Sequence, residues 1–230
     1  FKVMAGEADY AHQMDLEKYA LFLKNANQGN YHHITAQPGI TLLIMYNLDY
    51  MLDEEYTRLL TSKDFRIAMS LSIDKQELTD TFLHGLGKPQ NMSFHPGTIF
   101  YDRVENGRNL YTIQDVDRAN ELLDKLGLDK RDVDGWRLRT DGKGKVEMKF
   151  TTVHPDDGAV QSIALVTGAA QYPRDVGLYI TPDFQSIADW WSFLEEGSMQ
   201  MGFFGMQSGR DPNLPDNHWG PLMWAWNNTD

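Results

Sequence analysis

A mixed, doubly wound α/β sheet with flanking helices is the fold class that the sequence predicts, and three observations predict it. From residue 146 the chain alternates strand-like and helix-like runs: VEMKFTT, GAVQSIALVTGAAQY, VGLYITP, SIADWWSFLEE and MQMGFFG. Alternation of this kind builds parallel strands joined by crossover helices. The 230 residues are 41% hydrophobic, enough for one large core. The longest apolar run, ITLLIMY at 40–46, has the length of a strand and falls far short of the roughly 20 residues of a membrane-spanning helix.

Taken in order, DLEKYALFLKNAN (15–27) places Leu16, Tyr19, Ala20 and Leu23 at helical spacing, and Gln28-Gly29-Asn30 stops that helix. YHHITAQ (31–37) and TLLIMYNL (41–48) read as strands, and LDEEYTRLLT (52–61) as a short helix or turn. In DFRIAMSLSIDKQELTDTFLHGLGKP (64–89), Ser62 caps a first helix whose Phe65, Ala68, Met69 and Ser72 share a face. Asp74 caps a second helix, with Glu77 at capping-box spacing, and Gly85 ends it. DVDRANELLDKLG (115–127) is a helix with Ala119, Leu122, Leu123 and Leu126 inward and Gly127 as its stop. GWRLRTDGKGKVEMKFTT (135–152) reads as a hairpin turning at Asp141-Gly142.

Several functions are excluded or weakened by the residues. Gly85, Gly87 and Lys88 follow a helix and Pro89 stands where a phosphate loop needs Ser or Thr, so the Gly-x-Gly-Lys run is a turn. A net charge of −12 without a basic cluster argues against nucleic acid as a partner. The absence of cysteine removes thiol catalysis, zinc–cysteine sites and disulfides, and fits an exported protein. The register of DKRDVDGW (129–136) is wrong for a calcium loop, with Lys130 at the first ligand position and Asp141 at the last. His32 and His33, adjacent on a strand, face opposite sides. Glu54-Glu55 and Glu195-Glu196 diverge on helices and read as solvated faces rather than a glycosidase pair; Asp189 and Asp211 could approach in three dimensions, which the sequence does not show. The expectation is therefore no enzyme, no metal and no cofactor. An acidic carbohydrate-active enzyme and a non-catalytic protein-interaction module stay open as alternatives.

Ligands of doubly wound sheets sit beyond the carboxyl ends of the strands. That directs attention to MQSGRDPNLPDNHWGP (206–221), after the last strand. There Arg210 suits a ligand carboxylate and Asp211 a ligand ammonium; Asp211 also suits a turn before Pro212. Trp219, Trp224 and Trp226 offer apolar faces for sugars or peptide side chains, or for the rest of a longer protein. Of Trp190 and Trp191, one faces the core. The candidate ligand-binding residues are Gln207, Ser208, Arg210, Asp211 and Trp219.

The run FRIAMSLSIDKQELTDTFLHGLGKP resembles a stretch of the family 5 solute-binding proteins of ABC importers, a family with dipeptide-, oligopeptide-, nickel- and oligosaccharide-binding members. Phe65, Arg66, Ala68, Ser72, Ile73, Asp74 and Lys75 carry the likeness, followed by Gly85 and Gly87. AGEADY (Gly6, Glu7, Asp9), Asn47-Leu48, RANELLDKLGL, the DGWR hairpin and GMQSGRDP stand in the family's order, so the resemblance runs from about residue 5 to 226. It implies a periplasmic-binding-protein type II-like lobe. Residues 1–40 would lead in from an upstream lobe, and 41–230 would be a C-terminal lobe incomplete at its end. The start at Phe1, without initiator Met or signal sequence, reads as a position inside a longer polypeptide. The implied protein is a monomer on the periplasmic or extracellular face of a bacterial cytoplasmic membrane. It binds an oligopeptide or oligosaccharide and delivers it to the membrane subunits of an ABC permease. Two departures bear on specificity. Ser208 stands where dipeptide-binding members place an Asp, and Gly205 where the family places a Trp. The tail GPLMWAWNNTD is similar to a branch linked to oligosaccharides.

Overall fold

The computed structural model describes residues 2–11, 18–34, 40–91, 105–154, 156 and 163–207. The chain divides into two compact units, residues 1–38 and 39–230.

In the first unit α1 (Tyr19–Gly29) ends where the sequence places its stop, with Asn30 in the left-handed region at φ 51°. The buried face differs from the expected one. Phe22 is buried, whereas Leu23 is 47% exposed. The expected strand at 31–37 is not found in its described part, 31–34. Tyr31 serves α1 instead: its N–H donates to Ala26 O at 3.1 Å and its hydroxyl to Phe22 O. Tyr31 thereby folds back over the last turns of the helix.

Among its described residues the second unit has four strands: β1 (Ile40–Tyr46), β2 (Glu147–Val153), β3 (Tyr179–Gln185) and β4 (Met201–Gln207). Their order is β1-β4-β2-β3. β2 is parallel to both β3 and β4, and β1 is antiparallel to β4, with Tyr46 opposite Met201 and Ile40 opposite Gln207. The sheet is mixed, as the sequence predicts. β3 runs three residues further than the apolar run suggests, through Pro182. Proline has no N–H to give to a ladder and is tolerated because β3 lies at the sheet's edge.

Side chains alternate across the sheet, so each strand serves two cores. On one face Met148, Phe150, Ile180, Met201 and Phe203 meet helices α2 (Glu54–Thr61), α3 (Lys63–Ser72), α4 (Lys75–Phe82), α6 (Val116–Lys125) and α7 (Ile163–Gln171). A one-turn helix, α5 (Glu105–Arg108), precedes α6. On the other face Met45 and Val153 meet Trp190 and Leu194 of α8 (Ile187–Glu195). Crossover helices on both faces make the sheet doubly wound.

The caps read from sequence form. Ser62 accepts from Phe65 N at 3.4 Å, and Asp74 from Glu77 N at 2.8 Å. Glu77 does not close a capping box; its carboxylate accepts from the Tyr172 hydroxyl at 2.5 Å. Gly85, at φ 70°, turns the chain after α4 and donates to Thr79 O at 3.1 Å. In α6, Ala119, Leu122 and Leu123 are buried and Leu126 is partly so. The hairpin at 135–152 forms only as isolated bridges, Arg131↔Arg137 and Leu138↔Lys145. Arg137 gives its N–H instead to Gly177 O at 2.7 Å, just before β3.

Candidate ligand-binding site

At the base of the sheet, where β2, β3 and β4 begin, three polar side chains from the recognised motifs lace the elements together. Arg137 is 1% exposed. Its guanidinium donates to Val176 O (2.6 Å), Asn120 Oδ1 (2.7 Å), Asp124 Oδ1 (2.6 Å) and Leu128 O. It closes the gap between α6 and the 3-10 turn Tyr172–Val176 that leads into β3. Asn47, at the end of β1, donates from Nδ2 to Gly197 O (2.8 Å) and Met199 O (2.9 Å), and its Oδ1 accepts from Asp49 N (3.0 Å). It pins the turn from which β4 starts.

Arg139 grips Asp53, the N-cap of α2, at 2.7 Å and Asp141 at 2.6 Å, with its guanidinium 4.5 Å from the centroid of the Tyr56 ring. The Arg139 hydrogen bond holds the Asp141 carboxyl down at about 2. Burial raises the Asp53 pKa, but bonds from Arg139 and the Tyr56 amide outweigh it and leave the group below the ordinary carboxylate value.

Glu55 corrects the sequence reading of a solvated pair. It is 7% exposed, accepts from Arg58 at 2.8 and 2.9 Å, and takes the Thr140 hydroxyl and amide. The Arg58 bond keeps its pKa low. Glu195 and Glu196 are exposed. Asp132 turns its carboxylate onto its own backbone, accepting from Asp134 N (3.0 Å) and Trp136 N (2.9 Å). His33 sets its ring edge-on to Tyr19, with centroids 4.9 Å apart.

The opposite rim, at the carboxyl ends of the parallel strands, has another character. The chain leaves β2 for α7 on one face and leaves β3 for α8 on the other. Where neighbouring strands send their connections to opposite faces, a crevice opens between their carboxyl ends. At this end stand His154, just past β2, and Gln185, the last residue of β3. The His154 N–H donates to Gln185 O at 2.8 Å. Its Nδ1 accepts from Asp156 N at 3.2 Å, and its ring stands edge-on to Phe184. The Gln185 side-chain amide donates to Asp183 at 2.9 Å, and Lys149 faces the same carboxylate at 3.7 Å.

Below this end lies an aromatic floor. Trp190 is fully buried, stacks on Phe204 with centroids 4.6 Å apart, and donates from Nε1 to Thr151 O at 3.3 Å. It lies close over Gly202, where an added Cβ would come within 3.0 Å of Met45 Cε. Trp190 is therefore the tryptophan that faces the core, and Trp191 meets it edge-on, only half-buried.

Of the residues expected at the site, Gln207 is the last residue of β4, at this rim and opposite Ile40. Ser208, Arg210, Asp211 and Trp219 lie outside the described residues. Asp189 is engaged locally, holding Ser186 at the start of α8 (2.7 Å). The strands β2 and β3 run further than the sequence reading placed them, to Val153 and Gln185. Among the described residues no group of three His, Asp or Glu is arranged to hold a metal ion. No described helix is long and apolar enough to cross a membrane.

Residues 2–228 match the family described as bacterial extracellular solute-binding proteins, family 5, middle region. The chain belongs to that family. A probable ABC transporter-binding protein of Deinococcus radiodurans is 31% identical over 111 residues, 48% of this chain and 18% of that protein. Among solved structures, the oligopeptide-binding protein OppA superposes with a TM-score of 0.74 at 24% identity, covering 93% of this chain and 34% of its own. The periplasmic binding protein MelB of Agrobacterium fabrum, in complex with stachyose, gives 0.69 at 19% identity, over 89% and 32%. NikA of Brucella suis, in complex with Fe(III)-EDTA, gives 0.68 at 18% identity, over 92% and 40%. The fold is thus the periplasmic-binding-protein type II kind, and the chain spans about a third of OppA and of MelB.

Proposed function

We propose that this chain is the C-terminal lobe, with a short lead-in, of an extracytoplasmic substrate-binding protein. It captures a peptide- or oligosaccharide-like solute and hands it to an ABC import permease. The observation that carries this reading is the family match across residues 2–228. The lobe performs no chemistry. A ligand that touches two lobes favours the state in which they are closed, and the closed form is what the permease accepts.

In this reading the ligand meets His154 and Gln185 at the crevice mouth, and Gln207, Ser208, Arg210, Asp211 and Trp219 beyond the end of β4. The absence of an acid at 208 removes the group that holds a peptide amino terminus in the resembling dipeptide binders, which favours an oligosaccharide.

The test is thermal unfolding of the full-length mature protein against di- and oligopeptides, cello- and xylo-oligosaccharides and nickel complexes. A ligand present at about 100 times its dissociation constant stabilises the folded state by roughly 2.7 kcal/mol, a readily measured shift. A shift with oligosaccharides alone supports the reading in full. A shift with peptides alone keeps the transport role and overturns the sugar preference, and no shift with any class overturns the proposed solute range.

A further inference from the structure

The described methionines stand in contrasting environments. Met69, Met148 and Met201 are sealed in the larger core, and Met45 and Met199 in the core around Trp190, each at 3% exposure or less. There the thioether fills space between packed elements, out of reach of a dissolved oxidant. Met51 is 87% exposed, so its sulfur stands in water.

The backbone that carries Met51 is nonetheless pinned. It forms the turn between β1 and α2, at the base of the sheet. Asn47 opens the turn with its bonds to Gly197 O and Met199 O. Tyr50 is buried, and its carbonyl accepts from the Thr57 hydroxyl. Asp53 closes the turn, capping α2 and bonding Arg139 at 2.7 Å. None of these anchors uses the Met51 side chain. Leu52, its neighbour, is 70% exposed, and Leu48 is also exposed. The turn therefore holds apolar side chains in solvent on a frame that does not depend on them.

We propose that Met51 is a site of reversible oxidation, converted to the sulfoxide by hydrogen peroxide ahead of the buried methionines and without loss of the fold. The sulfur lone pair attacks one peroxide oxygen. An S–O bond forms, the O–O bond breaks, and the departing hydroxide takes the proton of the transferred oxygen and leaves as water. The sulfur is oxidised by two electrons and the peroxide is reduced. At Met51 water solvates the new S–O dipole. At Met148 or Met201 the same oxygen would be buried without a hydrogen-bond donor, which a core does not tolerate. The product gives the turn a polar tip in place of an apolar one, and methionine sulfoxide reductases restore the thioether. The proposal is independent of which solute the protein carries and of where the solute sits.

The test treats the full-length protein with dilute hydrogen peroxide and follows each methionine over time by peptide mapping and mass spectrometry, with Tm measured on the same samples. The expected result is that Met51 gains its oxygen at least about tenfold faster than Met45, Met69, Met148, Met199 and Met201. Tm is expected to stay unchanged when Met51 is fully converted, and a methionine sulfoxide reductase to return the residue to its starting mass. Met51→Leu, which keeps an apolar side chain and removes the sulfur, is the control for oxidation elsewhere. Two results overturn the proposal. In one, Met51 is oxidised no faster than the buried methionines, which means that polypeptide outside residues 1–230 covers it. In the other, Tm falls in step with conversion of Met51 while Met51→Leu, under the same treatment, keeps its Tm, which means that the fold depends on the thioether.

Discussion

The base and the rim of the sheet are organised on different principles. At the base, long polar side chains reach across distant parts of the chain and end on backbone carbonyls, as Arg137 and Asn47 do. At the rim, the contacts are a backbone bond between strands, a bond between near neighbours and an aromatic stack: His154 N–H to Gln185 O, Gln185 to Asp183, Trp190 on Phe204. The recognisable motifs of the sequence, the Asn after β1 and the DGWR hairpin, sit at the base. Easily recognised residues here are those whose replacement leaves several buried groups unsatisfied, whereas the proposed solute recognition falls at the rim.

The strongest way to break this comparison is Arg137→Met. It removes a buried cation and strands the carbonyls of Val176 and Leu128, so stability is expected to fall by roughly 3 kcal/mol, measured by denaturant unfolding. Asn47→Ala comes next. It leaves Gly197 O and Met199 O without their donor, for a loss of about 2 kcal/mol by the same measurement.

Acid titration sharpens the comparison further. Asp53, Glu55 and Asp141 have folded pKa values below their unfolded ones. The folded state therefore binds fewer protons than the unfolded chain in acid. The stability from these groups is complete above about pH 5 and is lost as pH falls toward about 2. Arg139→Gln is expected to flatten that acid slope in Tm, since Arg139 bonds both Asp53 and Asp141.

An alkaline counterpart is expected at Lys75, which burial pushes down to about 8 and whose Nζ donates to Ser70 O and Tyr111 O. Its unfolded value is about 10.4, so the unfolded chain binds the extra proton between the two. Stability is expected to rise as pH goes from about 8 to about 10, and Lys75→Met to abolish the rise.

Much of the fold was legible because it rests on local rules. Ser62 and Asp74 cap helices as their residue types dictate, and the apolar spacing of Ala119, Leu122 and Leu123 places them in the core. What sequence concealed was non-local. Leu23 has helical spacing yet faces outward, because burial depends on which side the rest of its unit covers. Glu55 is hidden by Thr140, 85 residues away. Pro182 reads as a strand end, and only its place at a sheet edge shows why the strand continues. The crevice was legible as a strand-end rule, but not His154 and Gln185 at that end, since that requires knowing how far each strand runs.

The measurement that bears most directly on the division between base and rim compares Arg137→Met with Asp211→Asn in the full-length protein. Both are titrated calorimetrically with the solute that the thermal panel identifies, and both are melted without it. The expected result is a lowered Tm with Kd unchanged within about twofold for Arg137→Met. For Asp211→Asn it is an unchanged Tm with Kd weakened at least about tenfold, the scale of one charge-assisted hydrogen bond. The contrary pattern, with Arg137→Met weakening binding at unchanged stability or Asp211→Asn leaving Kd unchanged, would contradict the assignment of scaffold to the base and recognition to the rim.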